Sequence, residues 1–259
     1  MTQGTPNGVR TLAAILLVTG IAGLVALGIV VHRVAGPTAP LGVPTFNPVA
    51  QVSPSARATP RATPSLTPRP SAAPTIPFAD CSTVTFGPDL APLNPPADVH
   101  VYPAAPPSTI DPAKLYRLTI HTAKGDVAVC LQPTLAPTTV GVIVALARNH
   151  FYDGLTFHRV VAGFVVQGGD PKGDGTGDAG FKFMDEPVHQ AYGTGVIAMA
   201  NNGANTNGSQ FFICIADGKQ CASLGPKYNL FGKVLSGQAV ADGLAKGDIM
   251  QTVTVAEQA

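Results

Sequence analysis

The first 79 residues of this 259-residue chain contain no aspartate, glutamate or lysine. Five arginines give this part a net charge of +5, whereas residues 80–259 carry 11 lysines and arginines against 15 acidic residues, a net charge of −4. The total of +1 therefore combines two segments of opposite sign. Neither excess is large enough to predict a nucleic-acid partner.

Several catalytic signatures are also missing from the sequence. The absence of a G-x-S-x-G motif counts against a serine hydrolase of the α/β type. There is no C-x-x-C pair and no histidine at ligand spacing, which argues against a metal site, and Cys130 has no neighbouring base to activate it. Residues 175–180 (GTGDAG) match G-x-G-x-x-G but do not link a strand to a helix, so a dinucleotide site is not expected. Asp170, Asp174 and Asp178 lack the spacing of a calcium loop. We expect neither a cofactor nor a metal.

A long apolar run near the amino terminus predicts a membrane anchor. Residues 11–31 are 21 residues without a charge, and about 20 such residues cross a bilayer as a helix. A cleaved signal peptide is the main alternative, but the run exceeds the usual core of about 7–15 residues, and Pro37 spoils the nearest cleavage site. We therefore predict a single-pass transmembrane anchor at 11–33, after a short tail at 1–10. Arginines flank both ends, so charge does not decide its orientation.

Two proline-rich segments follow the anchor. Residues 34–79 hold 11 prolines, and such a segment buries too little apolar surface to offset its chain entropy. We predict a disordered linker there, most simply a tether. Residues 80–113 still contain eight prolines but also apolar and aromatic residues. We expect them to form an irregular extension packed on the outside of a folded domain at 114–259.

Strand-type patterns dominate the carboxy-terminal domain. Leu115–His121 alternates apolar and polar residues and returns as Val127–Leu131, which predicts a hairpin. Pro137 occupies a first-turn position, and Thr138–Asn149 has helical spacing. Further strands are predicted at 157–167, 195–200, 209–215, 228–235 and 251–256, with a second helix near 238–246. Many short strands and two helices predict a mainly β fold, a closed antiparallel barrel capped by the two helices.

Two motifs in this domain carry the functional prediction. Residues 157–170 read FHRVVAGFVVQGGD, and strict alternation would place Phe157, Arg159 and Val161 on one face. An arginine on an apolar face is costly unless it has a partner or a function. Residues 199–213 read MANNGANTNGSQFFI, and LFGKV follows at 230–234.

In this order and spacing, the motifs resemble the cyclophilin family of peptidyl-prolyl cis/trans isomerases, from about residue 114 to residue 256. The resemblance implies an eight-stranded barrel with the substrate groove on its outer face. It also implies that proline-containing polypeptides are the partners. The sequence does not separate an active isomerase from a catalytically weak module that only binds proline peptides, or from an adaptor in which the linker is the working part.

The resemblance implies a set of site residues in two groups. The catalytic group is Arg159, Phe164, Gln167 and Phe212. The substrate-binding group is Val165, Ala200, Asn201, Asn202, Gln210, Leu224 and Tyr228. In this assignment Arg159 acts on the prolyl amide, the apolar residues form the proline pocket, and Gln167 holds the arginine and the substrate carbonyl. The neighbouring His158 is expected to be a structural histidine with its hydrogen bonds satisfied.

The chain also departs from the family pattern. Val165 replaces the more usual methionine and Asn202 a small residue. Ser223 stands where many members have tryptophan or phenylalanine, before Leu224. Because this aromatic cover is missing, we expect weak cyclosporin binding with isomerase activity retained.

The four cysteines favour disulfides in an exported domain. Three connectivities are open, and sequence alone does not choose among them. We favour Cys81–Cys130 and Cys214–Cys221. Together with the predicted anchor, this places a monomeric carboxy-terminal domain outside the cytoplasm, at the cell membrane.

Overall fold

The computed structural model describes residues 73–259. The predicted tail, the predicted anchor at 11–33 and most of the predicted linker at 34–79 therefore lie outside the described residues. None of the helices within residues 73–259 has the length and apolar character needed to cross a membrane.

The described residues form one nine-stranded sheet with short helices. The strands are β1 (Phe86–Asp89), β2 (Tyr116–Thr122), β3 (Gly125–Leu131), β4 (Arg159–Val161), β5 (Val165–Gly168), β6 (Val196–Met199), β7 (Phe211–Cys214), β8 (Leu230–Ser236) and β9 (Thr252–Gln258). The helices are a 3-10 turn (Cys81–Thr83), α1 (Pro137–Arg148), α2 (Lys219–Ala222) and α3 (Gln238–Asp242).

The predicted mainly β architecture is confirmed, but the predicted closure is wrong. The strand order is β1-β9-β2-β3-β8-β6-β7-β5-β4. Strands β2 to β9 supply the eight strands expected of the domain. The sheet is not closed by hydrogen bonds, because its edge strands β1 and β4 do not pair with each other. A single isolated bridge, Thr156 to Ile249, joins the chain ahead of β4 to the chain ahead of β9.

Apolar side chains pack on both faces of the sheet. The interior cluster includes Leu118, Val129, Ile143, Val166, Phe211 and Ile213. The outer cluster consists of Leu135, Val165, Tyr192, Val196, Ala198, Phe212, Cys214, Cys221 and Leu230. Successive residues of a strand point to opposite faces, so β5 and β7 each contribute to both clusters. The outer cluster is the base on which the site described below is built.

The run at 157–167 is a hairpin, not the single strand that its valines predict. Strands β4 and β5 are joined by a turn in which Phe164 N–H donates to Val161 O at 3.0 Å. Gly163 has φ +73° there, a value that glycine adopts without steric cost. The predicted alternation also fails at Phe157, because Phe157 is fully buried in the interior cluster whereas Arg159 is exposed.

The segments that flank the predicted domain are more ordered than the sequence indicates. The extension at 80–113 contributes β1, which pairs with β9. Residues 73–79, the end of the predicted disordered linker and here called the strap, contact the domain through Ile76 and Phe78. The short helix α2 is a third α-helix where two were expected.

Both favoured disulfides are present. Cys81–Cys130 joins the extension to β3, and Cys214–Cys221 joins the end of β7 to α2; each pair has its Cα atoms 6.2 Å apart. No free cysteine remains among residues 73–259.

Candidate functional site

The sheet register places three of the four predicted catalytic residues side by side. Arg159 lies opposite Gln167, Gln167 opposite Phe212, and Phe212 opposite Ala198, on the neighbouring strands β4, β5, β7 and β6. Directly opposed residues of antiparallel strands share a face and contact each other. This row therefore lies on the outer face of the sheet, where Phe212 and Ala198 are themselves part of the outer cluster.

A cavity of about 340 Å³ opens on this row. We call it the outer-face cavity. It is lined by Arg159, Phe164, Val165, Gln167, Ala200, Asn201, Asn202, Phe212, Leu224 and Tyr228. Ten of the eleven predicted site residues thus surround one space. The eleventh, Gln210, lines a smaller adjoining polar cavity together with Gln167 and Asn201.

A chain of amide groups holds the arginine. Arg159 Nη1 donates to Gln167 Oε1 at 3.2 Å, and Gln167 Nε2 donates to Gln210 Oε1 at 2.9 Å. Gln210 Nε2 in turn donates to the carbonyls of Gly175 and Gly177 at 3.1 and 2.7 Å. No carboxylate among residues 73–259 forms an ion pair with the arginine. The guanidinium is therefore oriented by a neutral acceptor and keeps its charge available.

The apolar side of the cavity is built from aromatic rings. The Arg159 guanidinium carbon lies 6.0 Å from the centre of the Phe164 ring. Phe212 and Tyr228 meet edge to face with ring centres 5.6 Å apart. Phe212 is only 5 % exposed, so it forms a dry floor, while the half-buried Phe164 and Leu224 stand at the rim.

Tyr192 is a residue of this region that the motifs do not reveal. Its hydroxyl donates to Tyr228 O at 2.6 Å and accepts from Tyr228 N–H at 3.0 Å. Burial raises the pKa of Tyr192 to about 12, so it remains a neutral phenol. No spacing rule marks this residue, because its partner lies 36 positions away in sequence.

The loop after β6 forms another wall of the cavity. Asn201 Nδ2 donates to Lys227 O at 2.9 Å and to Asn207 Oδ1 at 3.3 Å. Asn207 is fully buried, and its amide donates to Phe183 O, Met184 O and the Asp185 carboxylate. Asn202 is exposed, and only its main-chain N–H is bonded, to Thr206. The wall is thus rigid at Asn201 and open to solvent at Asn202.

His158, next to the arginine, differs from its expected state. It is 6 % exposed, and neither ring nitrogen finds a partner among the described residues. Burial lowers its pKa; the charges of Arg159 and Lys246 act in the same direction, and those of Asp170 and Asp174 oppose it. The described residues therefore supply none of the hydrogen bonds expected for this histidine, and burial favours the neutral ring.

Comparisons with known proteins agree with this geometry. A family model described as cyclophilin type peptidyl-prolyl cis-trans isomerase/CLD matches residues 117–258, more than half of the chain. A peptidyl-prolyl cis-trans isomerase of Helicobacter pylori is 41 % identical over 159 residues, covering 56 % of this chain and 96 % of that protein. Peptidyl-prolyl cis-trans isomerase A of Mycobacterium tuberculosis is 38 % identical over 157 residues, covering 53 % and 85 %.

A crystal structure of a Cryptosporidium parvum cyclophilin type peptidyl-prolyl cis-trans isomerase is also similar. It has 29 % identity and a TM-score of 0.49, and the match covers 54 % of this chain and 97 % of that one. From the family match and the two bacterial relatives, the chain belongs to the cyclophilin-type peptidyl-prolyl cis-trans isomerase family. It is an enzyme of that class.

Proposed function

We propose that the outer-face cavity binds a prolyl residue of a polypeptide substrate and that Arg159 lowers the barrier to rotation of the preceding peptide bond. One observation supports this most directly. The Arg159 guanidinium, which has no carboxylate partner among residues 73–259, is held by Gln167 beside the aromatic side chains of the outer-face cavity. The proposed substrates are proline-containing segments of exported or unfolded chains.

The proposed mechanism follows from the electronic structure of the amide. Rotation about the bond faces a barrier of about 18–20 kcal/mol, because resonance gives the C–N bond double-bond character. In the twisted transition state the nitrogen lone pair is freed and accepts a hydrogen bond. A guanidinium is permanently charged and rich in donors, so Arg159 is suited to supply that bond.

A rough magnitude can be assigned to this contact. A hydrogen bond to a charged group contributes about 1.5–3 kcal/mol. At about 1.36 kcal/mol per decade of rate, this corresponds to about a ten- to a hundredfold acceleration. The contact accelerates the reaction only because it is stronger in the transition state than in the planar ground state.

The apolar part of the cavity supplies the remaining stabilisation. Phe212 and Val165 are buried and offer no hydrogen bond to a planar, dipolar amide, whereas water does. Removing water also strengthens the electrostatic effect of Arg159. In this proposal Gln167 holds the substrate carbonyl, and the main chain at Asn201 binds the residues that precede the proline.

Exchange of an Ala-Pro peptide measured by NMR tests the mechanism. We expect Arg159→Ala to lose about ten- to a hundredfold in exchange rate, for the reason given above. Arg117→Ala is a matched control, because Arg117 also lies over a phenylalanine ring, that of Phe86, at 5.3 Å, but outside the cavity. Equal rates for the two variants would exclude Arg159 as the catalytic group. Binding without exchange by the unaltered protein would instead favour a module that only holds proline peptides.

We also propose that the protein is a monomer held at the cell membrane by residues 11–33, with the isomerase domain outside the cytoplasm. The uncharged run at 11–31 supports the anchor, and two disulfides support an oxidising compartment. Protease treatment of intact cells tests this placement. Cleavage of the domain in intact cells is expected, and protection of the domain until the membrane is broken would contradict the proposal.

A further inference from the structure

The strap binds the domain in the manner of an extended peptide. Ile76 and Phe78 are half-buried and pack against the outer cluster. Domain side chains meet main-chain groups of the strap: His189 bonds Pro74 O, Gln190 bonds Ile76 O, and Gln132 bonds Pro77 O and Ala79 N–H. The strap is therefore held by apolar contacts and by hydrogen bonds to its backbone. It lies outside the residues matched to the family, 117–258.

The strap is fastened at its carboxy-terminal end. Cys81 follows it closely and is bonded to Cys130 of β3. The Lys233 ammonium lies 5.5 Å from the centre of the Phe78 ring, a favourable cation–π distance. These contacts fix the strap beside the outer cluster.

The segment that receives the strap leads directly to the cavity wall. His189 and Gln190 are followed by Tyr192, which is 3 % exposed. The Tyr192 hydroxyl bonds both the carbonyl and the N–H of Tyr228, as described above. The ring of Tyr228 lines the outer-face cavity and packs against Phe212. The strap is thus linked to Tyr192 through the short segment 189–192 and through the outer cluster on which both pack, and Tyr192 is linked to the cavity through Tyr228.

We propose that Tyr192 is a positioning residue that fixes Tyr228 at the wall of the outer-face cavity, and that the docked strap holds Tyr192 in place. The proposal rests on the assignment of this cavity as the isomerase site. Arg159 and Gln167 belong to the β4–β5 hairpin, and their hydrogen bonds do not involve Tyr192. Loosening the strap therefore weakens substrate binding and leaves the chemical step little changed.

Kinetics of the full-length chain test the proposal. Removing a hydrogen bond worth about 1 kcal/mol changes an equilibrium constant about fivefold. We therefore expect Tyr192→Phe and Ile76→Ser each to raise KM about three- to tenfold with kcat within about twofold of the unaltered protein. Two matched controls are expected to leave KM unchanged. Tyr116→Phe removes a hydroxyl bonded to Glu257, and Ile110→Ser replaces a half-buried residue of the extension that packs on the interior cluster.

A spectroscopic readout separates this proposal from the assignment of function. The chain has five tyrosines, so ¹⁵N-tyrosine labelling gives few amide signals to follow. Tyr192→Phe and Ile76→Ser are expected to shift the Tyr228 amide signal, and the controls are expected to leave it in place.

An unshifted Tyr228 signal in Ile76→Ser would overturn the role of the strap, and an unchanged KM in Tyr192→Phe would overturn the role of the tyrosine. If the unaltered protein shows no isomerase activity, the functional assignment itself is refuted. In that case the Tyr228 signal still tests the contact.

Discussion

Arg159 and Gln167 face each other across the β4–β5 hairpin, and Nη1 of the arginine donates to Oε1 of the glutamine at 3.2 Å. The acceptor is neutral, so it orients the guanidinium without cancelling its charge. The other end of the glutamine is fixed by Gln210. A carboxylate in the same place would bind the arginine more tightly, and this difference leads to a first test.

Gln167→Glu is expected to lower the isomerase rate by about tenfold, because a charge-assisted bond draws the guanidinium away from the substrate. Because a glutamate cannot donate to Gln210 Oε1, a modest fall in the thermal midpoint of unfolding is also expected. Peptide exchange and calorimetry measure the two effects. Gln251→Glu makes the same charge change at an exposed position outside the cavity and serves as the control. Undiminished activity in Gln167→Glu would mean that a neutral partner is not needed.

Removing the two disulfides is expected to have unequal effects on stability. In the chain-entropy model a longer closed loop restricts the unfolded chain more, and the pairs are separated by 49 and 7 residues. Replacing Cys81 and Cys130 by alanine is expected to cost about 4 kcal/mol of unfolding free energy, and replacing Cys214 and Cys221 about 2.5 kcal/mol. Denaturant titration checks the order, and a larger loss for the shorter loop would contradict this reasoning.

His158 is expected to make the folded state sensitive to acid. Its pKa is lowered in the folded protein by burial, whereas the unfolded chain titrates near about 6.5. Below that pH the unfolded state binds more protons, so this contribution to stability is present above about pH 6.5 and is lost as the pH falls through the folded-state pKa. Unfolding free energies of the wild type and His158→Phe, measured across this range, test the prediction. Identical pH slopes for the two proteins would rule it out.

Cyclosporin is expected to bind weakly, because no aromatic side chain covers the cavity at position 223. Leu224 lines the cavity, but Ser223 does not. Ser223 is exposed at the end of α2, and its hydroxyl bonds Gln220 O at 2.6 Å. Ser223→Trp would place an aromatic ring at the rim and is expected to tighten binding, with little change in peptide exchange. Calorimetric titration measures the affinity. Tight binding by the unaltered protein would show that this cover is not required.

The two Asn-Gly pairs of the loop after β6 are expected to deamidate at different rates. Asn202 is exposed with a free side chain, and the following Gly203 has nothing within 4 Å of its Cβ position. Asn207, also followed by glycine, is buried with its amide bonded three times. Attack of the glycine nitrogen on the asparagine amide, with loss of ammonia, is therefore expected at Asn202 only. Peptide mapping after mildly alkaline incubation checks this, and isoaspartate at Asn207 would contradict it.

The residues that line the cavity could be predicted because they lie in short sequence motifs, within which neighbouring strands pair over a short distance along the chain. Arg159 and Gln167 are opposed within one hairpin, so their contact needs no distant pairing. The same local view failed for the hairpin itself. The valines of residues 157–167 predict one continuous strand, and only Gly163 indicates the turn between β4 and β5.

Contacts between distant parts of the chain could not be read from the sequence. Pairing of β1 with β9 joins Phe86 to Gln258, and nothing in the composition of the extension marks that partner. The strap looks like its proline-rich neighbours, yet side chains more than 50 positions away bind its backbone. Whether the sheet closes likewise depends on two strands that are distant in sequence, β1 and β4, and no local pattern shows that they do not pair.

The pairing of β1 with β9 has a consequence for any shortened version of this enzyme. A chain trimmed to the family match at 117–258 would lack β1 and leave the outer side of Thr252–Gln258 without hydrogen-bond partners. Unpaired strand edges of this kind are templates for pairing with another molecule. The pairing of β1 thus covers an edge that would otherwise be open to another molecule, and a trimmed enzyme is expected to self-associate more readily than one that keeps residues 86–89.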